Sequence, residues 1–499
     1  MGIIARQSLR GTIATYIGVA IGFVTTFFVL TRFLTAVEIG LARVLIDSAT
    51  LLVGLAQLGS TSAIIRFFPY FKEKEDTNYH GFFFWTLIIP LVGFLFFAHV
   101  FWLCRTPIEH WFGEKSPLFV DYYYFVLPLA FFMLYETVFE SNANVLMRIV
   151  VPRAVREAGV RLGLLVSYLL YAFRVLSMDG FVVALCVIYA LASLINIVYV
   201  CRIGHIRFMP DMPFLRANQP LVRSYFRYMV FLVLSALASV FAPMLSSFFV
   251  TAKMGLGYTG IFAIATYMAV MVSIPYRSLT AIASPQLAAA LKDRNHTDAG
   301  HLMQQVTNSM LLIGSLIFLL LWVNIDLIFQ ILPNGETYAV AKQTVFILGL
   351  SQLLFATVQV SVTALTYGAY YGYTLLFSLV LTVSAIVLNN YLIPLYGMEG
   401  SAWSNLISYS VYSILVLWVV MGRMRLSPFC RTEAKTLLLL AGVLVINFLW
   451  IRYLPVVNVW ISSVVRSVVL IGGFCVIAYK SYLSEEINAV LHSFFLRRH

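Results

Sequence analysis

Residues 82–103 read FFFWTLIIPLVGFLFFAHVFWL, an apolar run broken only by Thr86 and His99. About twenty such residues are what a helix needs to cross the hydrocarbon core of a bilayer. The rest of the chain has the same character. Its 499 residues are 61% hydrophobic and 11% charged, with a mean hydropathy of +0.91, whereas a soluble domain carries about 25% charge. No water-soluble fold hides that much apolar surface, so the chain spans a membrane as helices or as a closed barrel. Barrel strands alternate polar and apolar over about ten residues. The unbroken runs here predict helices instead.

Fourteen runs stand out: 11–34, 40–68, 82–103, 121–146, 158–175, 180–201, 226–250, 259–282, 306–330, 342–366, 374–393, 400–421, 436–453 and 461–480. Most connections are short; the longer ones are 104–120, 202–225, 283–305 and 422–435. With the N-terminus in the cytoplasm, nine of the 33 lysines and arginines fall outside: Arg32, Arg43, Arg105, Lys115, Arg174, Lys253, Lys342, Arg452 and Arg466. The other 24 fall inside. Cytoplasmic loops carry the excess of Lys and Arg, so the bias predicts both termini inside and an even number of spans. It also accounts for the net charge of +12 without nucleic acid as a partner. No small-residue cleavage site follows the first run, which reads as a retained helix. Leu483, Ile487, Val490, Leu491 and Phe494 recur at helical spacing, so 481–499 reads as an interfacial amphipathic tail.

The connection after the first span, Thr35-Ala36-Val37-Glu38-Ile39-Gly40-Leu41, resembles the one after the seventh, Thr251-Ala252-Lys253-Met254-Gly255-Leu256-Gly257. The offset is about 216 residues, or six spans, and both copies start on the same side of the membrane. A parallel repeat of two six-helix lobes facing a central cavity is expected. The lobes are 1–201 and 226–421, joined by a cytoplasmic linker 202–225. Spans 13 and 14 (422–480) are an appendage, and 481–499 follows as the tail.

Phosphate-binding G-x-x-x-x-G-K-[ST] loops, H-E-x-x-H and G-x-S-x-G patterns and EF-hands are all missing from the sequence. Cys104, Cys186, Cys201, Cys430 and Cys475 form no C-x-x-C pair, so neither a disulfide framework nor a zinc site is implied. The loop 104–120 offers only Glu109, His110 and Glu114 to a membrane-embedded transferase. A protein that is not an enzyme, with no cofactor and no metal, is expected.

Charged groups inside spans are costly and usually face a protein interior or a wet cavity. In span 2, Arg43, Asp47, Thr50, Gly54, Gln57 and Thr61 are spaced by three or four and share one helical face. They line a cavity, or Arg43 and Asp47 form a structural i,i+4 pair. In span 4, Glu136, Glu140, Asn144 and Arg148 repeat every four residues. Two carboxylates one turn apart repel when both are ionised, which suits one shared proton and a proton-coupled step. The alternative is neutralisation by Arg148 or by an arginine of another helix. Span 8 aligns Thr266, Ser273, Arg277 and Thr280, and span 10 aligns Gln352, Gln359, Thr363 and Thr366. Arg277, Arg66 and Arg161 either meet a substrate or snorkel at the boundary. Gly18 and Gly22 form a G-x-x-x-G packing face.

Arg32-Phe33-Leu34-Thr35-Ala36-Val37-Glu38-Ile39-Gly40-Leu41 resembles the turn after the first helix of bacterial polysaccharide flippases. Gly59 followed by Ala63-Ile64-Ile65-Arg66-Phe67-Phe68-Pro69 resembles its continuation, and Ile274-Pro275-Tyr276-Arg277-Ser278-Leu279 through Pro285 is similar to the exit of that family's span 8. Leu392-Ile393-Pro394-Leu395-Tyr396-Gly397-Met398-Glu399-Gly400-Ser401-Ala402 resembles the hairpin between spans 11 and 12. The family is the Wzx-like polysaccharide transporter branch of the multidrug/oligosaccharidyl-lipid/polysaccharide (MOP) exporter superfamily. The resemblance covers about 5–425 and implies an all-α polytopic bundle of about fourteen helices with alternating access.

The implied activity is that of a flippase moving an undecaprenyl-diphosphate-linked oligosaccharide across the bacterial inner membrane, from the cytoplasmic to the periplasmic leaflet. Its partners would be that glycan lipid, membrane lipids, and a polysaccharide polymerase or glycosyltransferases. Arg43, Asp47, Gln57, Arg277, Gln352 and Gln359 are the candidate substrate contacts, and Glu136 and Glu140 the coupling groups. Arginine suits a diphosphate through paired hydrogen bonds. MurJ-like lipid II flippases also have fourteen spans but usually carry several basic residues inside span 1, where this chain has only Arg32 at the outer end. MATE-type exporters have twelve spans and an acidic site in span 1 or 7, and neither span holds Asp or Glu here. A non-transporting membrane scaffold is the alternative from another class.

Overall fold

A computed structural model describes Thr15 and residues 17–71, 79–146, 148, 150–204, 209–293, 295–368, 370–453 and 458–481. Among these residues there is no β-strand. Ten helices are long and apolar enough to cross a membrane. One of them, Gly372–Gly422, doubles back at Gly397 (φ 57°, ψ −135°) and counts twice. The helix Ile17–Phe33, the helical run 150–172 and the 36-residue helix Gln219–Met254 bring the number to fourteen. The protein is an all-α, multi-pass membrane protein. The expected tail lies, beyond Ser481, outside the described residues.

Several helices run past the limits that hydropathy sets. The expected loop 283–305 is nearly all helix, Ile274–Lys292 followed by His296–Val323, because Asn295 caps the second by accepting from Asp298 N at 3.2 Å. The loop 104–120 folds into two short helices, Arg105–Phe112 and Pro117–Asp121. An intrahelical ladder continues beyond the lipid wherever a cap satisfies its first donors.

Packing divides the chain into Met1–Gly260 and Ile261–His499. In the first unit, span 2 is two helices, Ala36–Ala56 and Ser60–Phe71, separated by Leu58 (φ 50°) and Gly59 (φ 72°). The polar stripe therefore does not continue on one helix to Thr61. Two left-handed residues rotate the second helix, and the break is bridged by the Ser60 N–H donating to Gln57 O at 2.8 Å and by Thr61 Oγ1 donating to Gln57 Oε1 at 3.2 Å. Thr35 and Glu38 form a reciprocal capping box at the start of span 2. Tyr171 donates to the other oxygen of Glu38, tying this cap to span 5. Span 1 packs through its glycines, since a Cβ on Gly18 would lie 2.1 Å from the carbonyl oxygen of Glu157.

The two repeat segments meet each other. A Cβ on Gly40 would lie 2.0 Å from the carbonyl oxygen of Leu256, and one on Gly260 would lie 1.9 Å from that of Ala36. Ala36 and Leu256 each open a helix, after Thr35 and Gly255. The two helix starts, and the two glycines of the crossing, are each 220 residues apart, against the about 216 by which the sequence pairs Thr35 with Thr251. Lipid tails are as apolar as leucine, so close packing rather than water exclusion holds such helices together.

In the second unit, Leu440 and Val443 of span 13 and Leu470 and Phe474 of span 14 are buried in the same cluster as Val272, Phe318 and Leu353. The two appended spans thus belong to the core of this unit. Asn389, fully buried in span 11, donates to Ala385 O and accepts from Ser401 Oγ at 2.8 Å, joining the two arms of the hairpin around Gly397.

Candidate functional site

The first unit carries two groups of embedded charge. On helix Ala36–Ala56, Arg43 Nε donates to Asp47 Oδ2 at 2.8 Å. The Asp47 side chain is 7% exposed and that of Arg43 26%. The pairing expected from their i,i+4 spacing exists, and Arg43 does neutralise Asp47. Gln57, half-buried, closes this helix and is held by Thr61.

The second group centres on helix Val126–Val145. Glu140 is gripped by Arg156, Nη1 to Oε2 at 2.5 Å. Arg156 also approaches Glu157 at 3.5 Å, and Arg161 binds Glu157 at 3.0 Å. Glu136, one turn from Glu140, is 3% exposed, and among the described residues its Oε1 has no hydrogen-bond partner. The two carboxylates are therefore unlike. One has a dedicated guanidinium, and the other is enclosed with an oxygen left without a hydrogen bond, which is costly for a buried polar group. Arg148 is exposed in the coil beyond this helix and is not the partner of Glu140.

Neutralisation by an arginine of another helix, one of the alternatives left open by the sequence, is what Glu140 has, though nothing in the spacing singled out Arg156. It sits in a π-helical turn, Val155–Gly159, that offsets it from the regular register, and such turns are frequent at functional positions. Gly22 lets span 1 approach Arg161, whose Nη1 would lie 3.4 Å from a Cβ there.

In the second unit, Gln352 and Gln359 lie on helix Lys342–Tyr367, both half-buried. Thr363 Oγ1 bonds the carbonyl of Gln359 at 3.0 Å. Ser351, Thr357 and Ser361 on the same helix are buried. Arg277 lies within helix Ile274–Lys292, but its side chain is outside the described residues. Among the described residues no group of three or more His, Cys, Asp or Glu side chains could hold a metal ion.

The chain shares its fold with solved flippase and transporter structures, all under 25% identical to it. It is similar to the lipid II flippase MurJ in its inward closed conformation, with TM-score 0.72 and 11% identity, covering 94% of this chain and 99% of that one. It is also similar to a MOP superfamily transporter from Pyrococcus furiosus, with TM-score 0.58 and 13% identity over 85% of this chain and 95% of that one. The Vibrio cholerae MATE transporter VcmN in the bent form gives TM-score 0.53 and 13% identity over 87% and 100%. At the level of sequence, no protein-family profile and no curated relative matches the chain.

Proposed function

We propose that the protein is a flippase that carries a polyprenyl-diphosphate-linked oligosaccharide from the cytoplasmic to the periplasmic leaflet of the bacterial inner membrane, for surface polysaccharide assembly. The observation that carries this reading is the extent of the fold match. A lipid flippase covers 94% of the chain, while the MATE and Pyrococcus transporters stop at 85–87%. Spans 13 and 14, which a twelve-helix exporter lacks, share the buried core of the second unit. Arg43, Asp47, Gln57, Arg277, Gln352 and Gln359 would contact the headgroup and sugars. Glu136 and Glu140 would couple a proton to the cycle, with Arg156 fixing the charge of Glu140 so that Glu136 is the exchanging group.

The second reading, lipid II as cargo, is favoured by the MurJ similarity itself. The absence of Lys and Arg from residues 11–31 of span 1 speaks against it. The test uses proteoliposomes loaded separately with a polyprenyl-diphosphate oligosaccharide, lipid II and a cationic dye. The first should be flipped fastest. Glu136→Gln should slow its transport and flatten the pH profile more than Glu140→Gln does. Faster movement of lipid II would replace the first reading with the second, and movement of the dye alone would reject both.

A further inference from the structure

Arg43, Arg156 and Arg161 are each held by a carboxylate, at 2.8, 2.5 and 3.0 Å. Arg66 is held by rings. It lies on helix Ser60–Phe71, and its guanidinium carbon stands 4.3 Å over the Tyr228 ring and 5.7 Å over that of Phe67. Phe67 is buried and packs edge-on against Tyr225 at 5.0 Å and Tyr228 at 5.7 Å, so the stacking surface is itself fixed. A guanidinium over a ring face is attracted through its charge and leaves N–H donors in its plane for another partner. Arg66 is exposed, which leaves its side chain reachable from outside.

Residues 57–71 and 212–260 contain no Asp or Glu, and Arg216, Arg223 and Arg227 of the second segment are all exposed. Glu73, Glu75 and Asp76, which follow the first segment together with Lys72 and Lys74, lie outside the described residues. The acid just before the second segment, Asp211, is taken up by His80 at 3.1 Å and by the backbone N–H of Phe214 at 3.0 Å. Arg223 and Arg227 lie one turn apart on the helix of Tyr228, on the flank beside Ser224 and Tyr228. Exposed apolar side chains border the arginines: Ile65, Tyr70 and Phe226, each at least half exposed. An anion with several acceptor oxygens and an apolar tail fits this surface.

We infer that Arg66, over the Tyr228 ring and with Arg227 next to Tyr228 on that residue's helix, is a docking site for the phosphate or diphosphate group of a membrane lipid. The choice of a diphosphate rests on the flippase reading above. The planar guanidinium pairs two of its donors with two phosphate oxygens. The ring holds it in that orientation before the ligand arrives, and the tail lies along the apolar border.

The test uses the full chain in nanodiscs of phosphatidylcholine. Farnesyl diphosphate and phosphatidylglycerol are titrated separately, and each variant is checked for an unchanged melting temperature. Arg66→Ala should weaken farnesyl diphosphate at least tenfold, and Arg66→Lys should lie between it and the parent. Tyr228→Ala should weaken it severalfold. Tyr228→Phe, which keeps the ring face, should stay within twofold. Arg105→Ala, at a different surface and paired with Glu109, should change nothing. If the parent binds farnesyl diphosphate and neither Arg66→Ala nor Tyr228→Ala alters the affinity, the docking site is wrong and the flippase reading stands. If only phosphatidylglycerol binds, and Arg66→Ala weakens it, the phosphate site stands with the bilayer as its source and the flippase reading loses support. If neither lipid binds, both fall.

Discussion

Gly40→Ala is the most informative single change. The added methyl group would stand 2.0 Å from the carbonyl oxygen of Leu256, roughly 1.3 Å short of the about 3.3 Å at which carbon and carbonyl oxygen normally meet. The obstacle is backbone on a neighbouring helix and cannot rotate away, so the cost falls at the upper end of overpacking, about 3 kcal/mol. Set against a conformation in which this crossing is apart, that energy shifts the balance on the order of 100-fold. Gly260→Ala faces the carbonyl of Ala36 at 1.9 Å and should do the same. The assay is a disulfide across the crossing. A Cβ on Gly257 would lie 3.7 Å from Val37 Cγ2, so Val37→Cys with Gly257→Cys should cross-link on mild oxidation once the five native cysteines are replaced by serine. Adding either alanine should slow cross-linking at least tenfold and reduce transport. Rates within twofold of the parent for both alanine variants would refute the idea that the crossing depends on hydrogen at these two positions.

Three further expectations follow from the same geometry. Arg43→Ala strands Asp47, 7% exposed, and should lower the melting temperature and surface glycan; if Arg43 serves only Asp47, adding Asp47→Ala should restore both, whereas persistent loss of glycan at matched protein levels would assign Arg43 to the substrate. Arg156→Ala leaves Glu140 enclosed without its partner and should destabilise by about 1–3 kcal/mol, discounted because Arg156 is 43% exposed, with partial recovery in Arg156→Ala/Glu140→Gln, measured by thermal unfolding in detergent. Gly397 occupies φ 57°, ψ −135°, a region that side chains avoid, so Gly397→Ala should cost about 1–3 kcal/mol and appear as a lower melting temperature with the helical circular dichroism retained.

The fold was legible because lipid forces helices and hydropathy finds them. The fourteen spans emerge near their expected places, and the hairpin at Gly397 lies where the sequence places a connection. Three features escaped a periodic reading. The break at Leu58 is one, because leucine gives no sign that it will take a positive φ; Gly59 was the available signal. The glycine crossing is another: pairing Thr35 with Thr251 matches letters, while the structure brings two helix starts together and sets Gly40 against Gly260. The third is the grip of Arg156 on Glu140, a contact between helices, which spacing within one helix cannot foresee. The Arg43–Asp47 pair lies on a single helix, so its spacing alone foretold it.

The crossing at Gly40 and Gly260 is self-complementary: each segment offers the other a carbonyl and a glycine from the same positions. Two identical half-length chains related by a twofold axis would make this contact, with one residue type serving as both knob and socket. Here both halves of the contact lie in one chain, and it persists only while both positions remain glycine. Drift at one position cannot be absorbed locally and must be answered 220 residues away. The two glycines therefore act as one structural unit, set 220 residues apart in a single chain.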